Sequence, residues 1–200
     1  VLHVVPSQAT SAGMTTKLEE GDKIIANAVE YLGLDPSRTV TMLRQGEPKD
    51  VVCQVADEVD ADLIIMGSRG LKRLQAILSN SVSQYVFQLS SRPMLLVKDD
   101  IYVKKINRIM VAYDGSDAAK QCLQLALFLL RDIKGGQLVL AYVNKNLSGK
   151  QGEVALAAAE KDPVLAGAIA EAKKQGVQTR CVTSMGKPGE EICRLAEDMS

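Results

Sequence analysis

One stretch of this chain occurs twice, once in each half of the sequence. The shared positions in the two copies are Thr39, Gly46, Pro48, Cys53 and Ala56, and Thr179, Gly186, Pro188, Cys193 and Ala196. The Val-Leu-x-x-Val pattern of residues 1–5 also returns at residues 139–143. Chance similarity between two amphipathic segments does not explain why a Gly-x-Pro stands at the same point before each predicted helix. The chain therefore contains two copies of one structural unit.

Apolar periodicity predicts strands that alternate with helices. Short runs rich in β-branched residues predict strands at residues 1–5, 39–43, 63–66, 94–97, 106–113, 137–143 and 177–183. Helical spacing predicts helices over residues 14–32, 48–59, 71–89, 119–133 and 153–174, the last of these bent or broken near Pro163, with one more helix from Pro188. Strands joined by crossover helices predict a parallel sheet covered on both faces, which is the α/β class.

The length does not fit two full units, because the repeat spacing requires about 280 residues and the chain has 200. We expect a first unit at 1–99 without its first strand and helix, and a second at 104–200 without its last two strands. We then expect the chain to be one part of a longer protein with tandem units. The first sheet has a gap where its central strand belongs. Residues 106–113 are of the right type to fill that gap in a permuted unit; the alternative is that the missing segments exist in the parent protein.

Composition excludes several partners. The charges of the 24 basic and 24 acidic side chains sum to zero. The chain therefore has no overall positive potential that would bind a nucleic acid or an anionic membrane surface. No segment approaches the run of about 20 apolar residues that spans a bilayer. The four cysteines form no CxxC pair and His3 is the only histidine, which argues against a zinc site and for buried thiols in a reducing compartment. We expect a soluble cytoplasmic protein with no nucleic-acid or membrane partner.

A glycine-rich turn is the most informative segment for chemistry. Residues 66–70 read Met-Gly-Ser-Arg-Gly at the predicted end of a strand, and Asn80-Ser81 follow nine residues later. Gly67 and Gly70 permit close backbone approach, and Ser68, Arg69 and Ser81 add hydroxyl donors and a cation. A helix N-terminus after such a turn favours anions. These groups suit a phosphate; a strand-to-helix turn without a ligand explains the same spacing.

These residues resemble the nucleotide-binding signature of universal stress proteins, which is Gly-x-x-Gly, nine residues, then Gly followed by Ser or Thr. Residues 111–116, Val-Ala-Tyr-Asp-Gly-Ser, resemble the first strand of that family and its Asp-Gly-Ser turn, and both Gly-x-Pro sites resemble its recurring helix start. The resemblance implies a five-strand sheet of order 3-2-1-4-5, of the adenine-nucleotide α-hydrolase-like group. It also implies ATP, with Mg²⁺, across the carboxyl edge of the sheet.

Carried over residue by residue, Gly67, Gly70, Asn80 and Ser81 match the phosphate-binding positions of the family, and Asp114 matches the aspartate that contacts the nucleoside. Asn80 replaces the glycine of the signature. Asparagine tolerates the left-handed backbone better than most residues, but its side chain takes up space beside a phosphate. Asp114 also lies in the second unit, whereas the glycines lie in the first.

The resemblance implies a regulatory protein that binds ATP or a related adenine nucleotide during stress and associates as a homo-oligomer or by pairing of its units. The alternative is a dimerising interaction module of the same fold that binds no nucleotide. The residues suggest no catalytic group and no metal ligands. An enzyme would be at most a slow ATPase, since the sequence offers no evident base to activate water.

Overall fold

The computed structural model describes residues 1–7, 10–68, 81–98, 105–144 and 152–199. The chain divides into two compact units, Val1–Tyr102 and Val103–Ser200. In both units strands alternate with helices, and every strand pair but one is parallel. The predicted α/β class is therefore confirmed, whereas the exact unit bounds 1–99 and 104–200 stay predictions.

The first unit contains four strands and three helices in the part that the structure describes. In chain order they are β1 (Leu2–Val5), α1 (Ser11–Tyr31), β2 (Met42–Gln45), α2 (Pro48–Glu58), β3 (Ile64–Ser68), α3 (Val82–Leu89) and β4 (Met94–Lys98). A short 3₁₀ turn, Pro36–Arg38, precedes β2. Pro48 occupies the first turn of α2, as its fixed φ and missing N–H favour.

The strands of the first unit form two separate parallel pairs. Strand β1 pairs with β2, and β3 pairs with β4. This separation agrees with the gap predicted between the second and fourth strands of the first sheet. Residues 106–113, the segment proposed to fill it, contain a strand that pairs with the next strand of its own unit, and among the described strands only β4 pairs with β3. The filling of the gap by this segment stays a prediction. A short crossover within one unit makes that local pairing the easier one to form.

The second unit has the same alternation with two additional short elements. It contains β5 (Arg108–Ala112), α4 (Asp117–Leu130), β6 (Gln137–Val143), β7 (Gly152–Val154), α5 (Leu156–Ala159), α6 (Leu165–Lys174), β8 (Gln178–Ser184) and α7 (Pro188–Asp198). Its sheet has the order β5-β6-β8-β7, in which only β7 is antiparallel. The segment β5-β6-β8 corresponds to the 1-2-3 part of the predicted strand order.

The paired register refines the sequence repeat. Arg44 pairs with Val4 in the first unit, and Ser184, the counterpart of Arg44 in the repeat, pairs with Val143. Val4 of β1 therefore corresponds to Val143 of β6, whereas the Val-Leu-x-x-Val match aligned it with Tyr142. A shift of one residue moves every side chain to the opposite face, so the sequence match overlaid the wrong faces.

Three predicted segments differ in the structure. Residues 152–154 form strand β7 where a helix was predicted, because they find a partner in β8. Ser81 is extended and begins α3 as its N-cap, so no single helix runs from 71 to 89; residues 71–80 lie outside the described part. Residues 39–41 precede β2, and the strand itself extends to Gln45.

The larger core lies between the sheet of the second unit and helices α4 and α6. Leu127, Leu138, Leu140 and Leu165 are among its fully buried side chains. The prediction of four buried thiols is partly wrong. Cys181 is buried and Cys53 and Cys193 are half-buried, but Cys122 is exposed on α4. Among the described helices, none is long and apolar enough to cross a membrane.

Candidate functional site

A cleft of about 310 Å³ opens at the carboxyl end of β5 and β6 in the second unit. Open α/β sheets bind their ligands at this edge, where strand ends and helix N-termini meet. The N-terminal parts of α4 and α7 form its sides. The lining residues are Ala112, Tyr113, Asp114, Ser116, Ala118, Ala119, Cys122, Ala141, Val143, Pro188 and Ile192.

Asp114, Gly115 and Ser116 form the turn that leads from β5 into α4. The Asp114 Oδ1 atom accepts a hydrogen bond from the Ser116 N–H at 2.9 Å, an arrangement typical of an Asx turn. Gly115 has a φ of +83°, which its lack of a side chain permits at little cost. Ser116 then caps the helix, because its Oγ accepts from the Ala119 N–H at 3.2 Å.

Asp114 remains ionised over a wide pH range. The Ser116 hydroxyl and then the Ser116 N–H lower the pKa of its carboxyl group below the ordinary value, because both hydrogen bonds stabilise the charged form. The residue is exposed. The turn therefore presents a fixed carboxylate acceptor to the cleft, which suits hydroxyl or amine donors of a ligand.

Apolar groups line the cleft beside that carboxylate. Ala141 is buried on β6, and Val143 and Ile192 are half-buried. The Tyr113 N–H donates to the Ala141 carbonyl oxygen at 2.8 Å, so parallel pairing continues one residue beyond β5. An apolar wall with one convergent carboxylate is typical of small-molecule sites.

A polar network lies behind the start of α7. The Ser184 hydroxyl, which is fully buried at the end of β8, donates to a Glu191 carboxylate oxygen. The Arg194 Nη2 atom donates to the same carboxylate at 2.7 Å and to Ser184 Oγ at 3.2 Å. These contacts connect β8 to α7 and so hold Pro188 and Ile192 at the cleft.

The signature residues of the first unit are only partly within the described chain. Gly67 lies in β3, opposite Val97 of β4, and a Cβ atom there would meet nothing within 4 Å. Ser68 ends β3. Arg69, Gly70 and Asn80 lie outside the described residues. Among the described residues, none packs against the position that a Cβ atom of Gly67 would occupy.

Ser81 stands at the start of α3. Its Oγ accepts from the Gln84 N–H at 3.2 Å and lies 3.1 Å from Ser83 Oγ. A groove of about 520 Å³ runs between this helix start and the start of α2. Lys49 and Tyr85 face each other there, with the ammonium 4.5 Å from the ring centroid. The groove thus combines the Ser81 hydroxyl and the Lys49 ammonium with the carboxylate of Glu47.

Sequence reasoning found Asp114 and Ser81 but missed most of the residues around them. Ser116 was within the recognised Asp-Gly-Ser turn and could have been chosen as a helix cap. Lys49 directly follows the Gly-x-Pro site, and this position could have identified it as a residue near the helix start. Val143 and Ile192 join the cleft only through the pairing of β5 with β6 and the packing of α7. Within the described residues, no group of three or more acidic, histidine or cysteine side chains is placed to hold a metal ion.

Several known proteins similar to this chain are described as universal stress proteins. The chain is 46% identical over 92 residues to Universal stress protein Sll1654 of Synechocystis, a match that covers 46% of this chain and 59% of the relative. It is 30% identical over 108 residues to Universal stress protein G of Salmonella typhimurium, which covers 49% and 75% of the two chains. It is 38% identical over 80 residues to Universal stress protein YxiE of Bacillus subtilis, a match that covers 40% of this chain and 54% of the relative.

A solved structure shares the fold of this chain. The crystal structure of a universal stress protein from Archaeoglobus fulgidus superposes with a TM-score of 0.73 at 24% identity, and covers 99% of this chain and 70% of that chain. At this identity the likeness shows the fold alone. The chain spans 54% and 59% of the Bacillus and Synechocystis relatives.

The family profile described as the universal stress protein family matches this chain twice, over residues 1–98 and again over residues 105–200. The two matches coincide with the two alternating α/β units and with the repeated Gly-x-Pro helix starts. This chain belongs to the universal stress protein family, with two copies of the family unit.

Proposed function

We propose that this protein binds ATP or a related adenine nucleotide and acts as a regulatory module of the cytoplasmic stress response. The observation that carries the proposal is the cleft beside Asp114. Its volume of about 310 Å³ lies at the small end of ligand pockets, which run from about 300 to 1,000 Å³. A nucleoside is a ligand of suitable size for such a cleft.

The chemistry of the cleft favours a nucleoside in particular. Ribose hydroxyls are donors, and the ionised carboxylate of Asp114 is an acceptor with its orientation set by Ser116. The apolar wall of Ala141, Val143 and Ile192 suits the faces of a flat base. These features agree with the role that the resemblance gives to Asp114 in a sheet of order 3-2-1-4-5.

The phosphate-binding positions implied by the resemblance lie in the first unit, and we propose them as a separate anion site of that unit. The resemblance assigns phosphates, with Mg²⁺, to Gly67, Gly70, Asn80 and Ser81. Ser81 at the start of α3 and the nearby Lys49 support an anionic ligand on this unit. Asn80 in place of glycine is the departure that most weakens the assignment.

Titration calorimetry of the full chain with Mg-ATP and with adenosine tests both parts. Asp114→Ala should weaken binding of both ligands at least about tenfold, the cost of one lost charge-assisted hydrogen bond. Ser81→Ala tests the first unit by itself: it should weaken ATP binding there and leave adenosine binding beside Asp114 unchanged. Asp117→Ala is the matched control, because Asp117 follows the same turn but pairs with Lys120 at 2.8 Å and does not line the cleft. Absence of binding at millimolar nucleotide would remove the proposal.

The second candidate is a dimerising module that binds no nucleotide. Ile65, Leu95 and Val97 support it, because they alternate on one face of the β3–β4 pair and are 64%, 43% and 45% exposed. Sedimentation analysis distinguishes the candidates: a dimer that Leu95→Lys dissociates, in a protein without nucleotide affinity, favours this one. Steady ATP consumption that tracks the purified protein would instead favour a slow ATPase.

A further inference from the structure

The corresponding sheet edges of the two units differ in their pairing. In the second unit, strand β7 pairs antiparallel with the outer edge of β8, with Gly152 opposite Thr183 and Val154 opposite Cys181. Strand β2 is the counterpart of β8 in the first unit. Among the described strands, only β1 pairs with β2. Its outer edge therefore carries backbone groups of the kind that β7 satisfies in the other unit.

The segments that precede these edge strands also differ. Residues 11–31 of the first unit form the single helix α1, whereas the second unit has β7, α5 and α6 between β6 and β8. Gly152, with a φ of +106°, and Pro163 interrupt the second stretch. The first stretch contains no proline. An unbroken α1 supplies no strand to cover β2.

The direction of the free backbone groups follows from the pairing of β2 with β1. The N–H groups of Met42 and Gly46 donate to the carbonyl oxygens of Val1 and Val5 at 2.8 and 3.0 Å. Because peptide groups alternate in direction along a strand, those of Thr41 and Leu43 point outward. Their counterparts are Cys181 and Thr183, the residues that face β7.

An apolar groove runs beside this edge. Its volume is about 610 Å³, and Ile25, Val29, Leu34 and Leu43 are among its lining residues. Counted from Gly33 and Gly176, which end the two helices, the counterparts of Ile25 and Val29 are Ala168 and Ala172, which are 1% and 0% exposed. The second unit also has a groove of about 470 Å³ beside the end of its helix, but Ile169 lines that groove and Ala168 and Ala172 do not.

We propose that the edge of β2 and this groove, together the β2 groove, dock an extended apolar peptide segment of a partner protein as an added antiparallel strand. Strand addition supplies affinity through backbone hydrogen bonds and specificity through side-chain pockets. The second unit shows the geometry of the occupant: a segment of the type Gly-x-Val-Ala-Leu, as in residues 152–156.

One position defines the side chain that the partner carries. In the second unit Glu153 pairs with Arg180, whose Nη2 lies 2.7 Å from Glu153 Oε2. The counterpart of Arg180 is Val40, which is 67% exposed. An apolar residue therefore replaces the glutamate in the peptide bound by the first unit. Asp22 and Glu30 line the same groove, which favours basic residues flanking the strand.

Fluorescence anisotropy of labelled peptides with the full chain tests this proposal. Lys-Gly-Val-Val-Ala-Leu-Lys should bind at least about tenfold more tightly than its form with an N-methyl group on the second valine, whose N–H points to β2. The matched control carries N-methyl on the first valine, whose N–H points away, and should bind like the parent peptide. Replacing the first valine by glutamate should weaken binding, and Val40→Arg should reverse that preference.

Hydrogen exchange locates the bound peptide. Protection should increase at the Thr41 and Leu43 amides when the peptide binds. Three results would overturn the proposal: no binding at millimolar peptide, equal binding of both N-methylated forms, or protection confined to Cys181 and Thr183. A concentration-dependent dimer that protects Thr41 and Leu43 without peptide would also overturn it, because a second copy of the chain would then be the occupant.

Discussion

Gly46 and Gly186 share almost the same unusual backbone torsion, with φ values of +143° and +146°. Each stands two residues before the proline that begins a helix, at the same place in its unit. Their surroundings differ. A Cβ atom on Gly46 would lie 2.8 Å from Val51 Cγ2, whereas one on Gly186 would lie 3.0 Å from Glu191 Cγ. The backbone of the repeat is thus kept while the packing beneath it has changed.

This difference predicts unequal costs for the same substitution. Gly46→Ala should lower the free energy of unfolding of its unit by about 1–3 kcal/mol, the usual cost of a strained torsion, with overlap against Val51 added. Gly186→Ala should cost less, because its Cβ atom would lie 3.0 Å from Glu191 Cγ, a longer distance than the 2.8 Å to Val51 Cγ2 at position 46. Urea unfolding of the full chain measures both.

Gly167→Ala is the control for these two variants. Gly167 lies within α6, and nothing lies within 4 Å of its added Cβ. Alanine should raise stability there by up to about 1 kcal/mol through helix propensity. Equal losses at positions 46 and 186 would contradict the role given to Val51.

Glu191 predicts a pH dependence of stability. Arg194 and then the Ser184 hydroxyl hold the pKa of its carboxyl group below the ordinary value of 4.5. A depressed folded-state pKa contributes stability above the unfolded value, and that stability is lost as the pH falls through the folded value. Glu191→Gln should therefore lower the unfolding free energy at pH 7 and flatten its decline between about pH 5 and pH 3.

Thermal unfolding followed by circular dichroism across this range measures the effect. Glu190→Gln is the matched control, since Glu190 is an exposed neighbour whose ion pair with Lys187 is on the surface and contributes little. If both variants retained the parent pH profile, the network behind α7 would have no part in acid stability.

Ser116 predicts a coupled change in stability and titration. Ser116→Ala removes the N-cap of α4, which should cost about 1 kcal/mol. It also removes the largest cause of the lowered Asp114 pKa, so that pKa should rise toward its ordinary value. A carboxyl NMR titration reports the second effect. Ser116→Thr keeps the hydroxyl and should restore both properties; a restored helix with an unrestored titration would separate the two roles.

The cysteines predict contrasting thiol reactivity. Burial raises the pKa of the Cys181 thiol to about 11, with the nearby Glu160 carboxylate adding to the effect. Cys181 should therefore resist a thiol reagent at pH 8 until the protein unfolds. The exposed Cys122 should react in the native state. Because Cys122 lines the cleft beside Asp114, adenosine should slow its labelling if the nucleoside binds there. Counting labelled residues by peptide mass mapping checks both statements.

Much of the fold was predictable because its signals are local. Pro48 and Pro188 marked helix starts through their own backbone restrictions, and both helices begin there. Strand ends were less predictable: residues 39–41 have strand-like side chains but lie before β2. The pairing partner, not side-chain propensity, decides where a strand begins and ends.

The candidate site was predictable only where one motif holds it. Asp114 and Ser116 belong to a single turn, and the structure joins them by a hydrogen bond. Val143 and Ile192 come from elements far from that turn in sequence, and no short motif contains them. Their place at the cleft depends on the register of β5 with β6 and on the packing of α7.

The sequence by itself determined the repeated unit, its alternation of strands and helices and its family, because apolar periodicity and glycine or proline backbone preferences act within a few residues. Only the tertiary structure decided which strand edges are covered. Residues 152–154 became a strand because their backbone groups pair with β8, which lies beyond two intervening helices in the chain. The corresponding edge of β2 has no partner among the described strands. Hydrogen bonds between distant backbone segments leave no pattern in either segment alone.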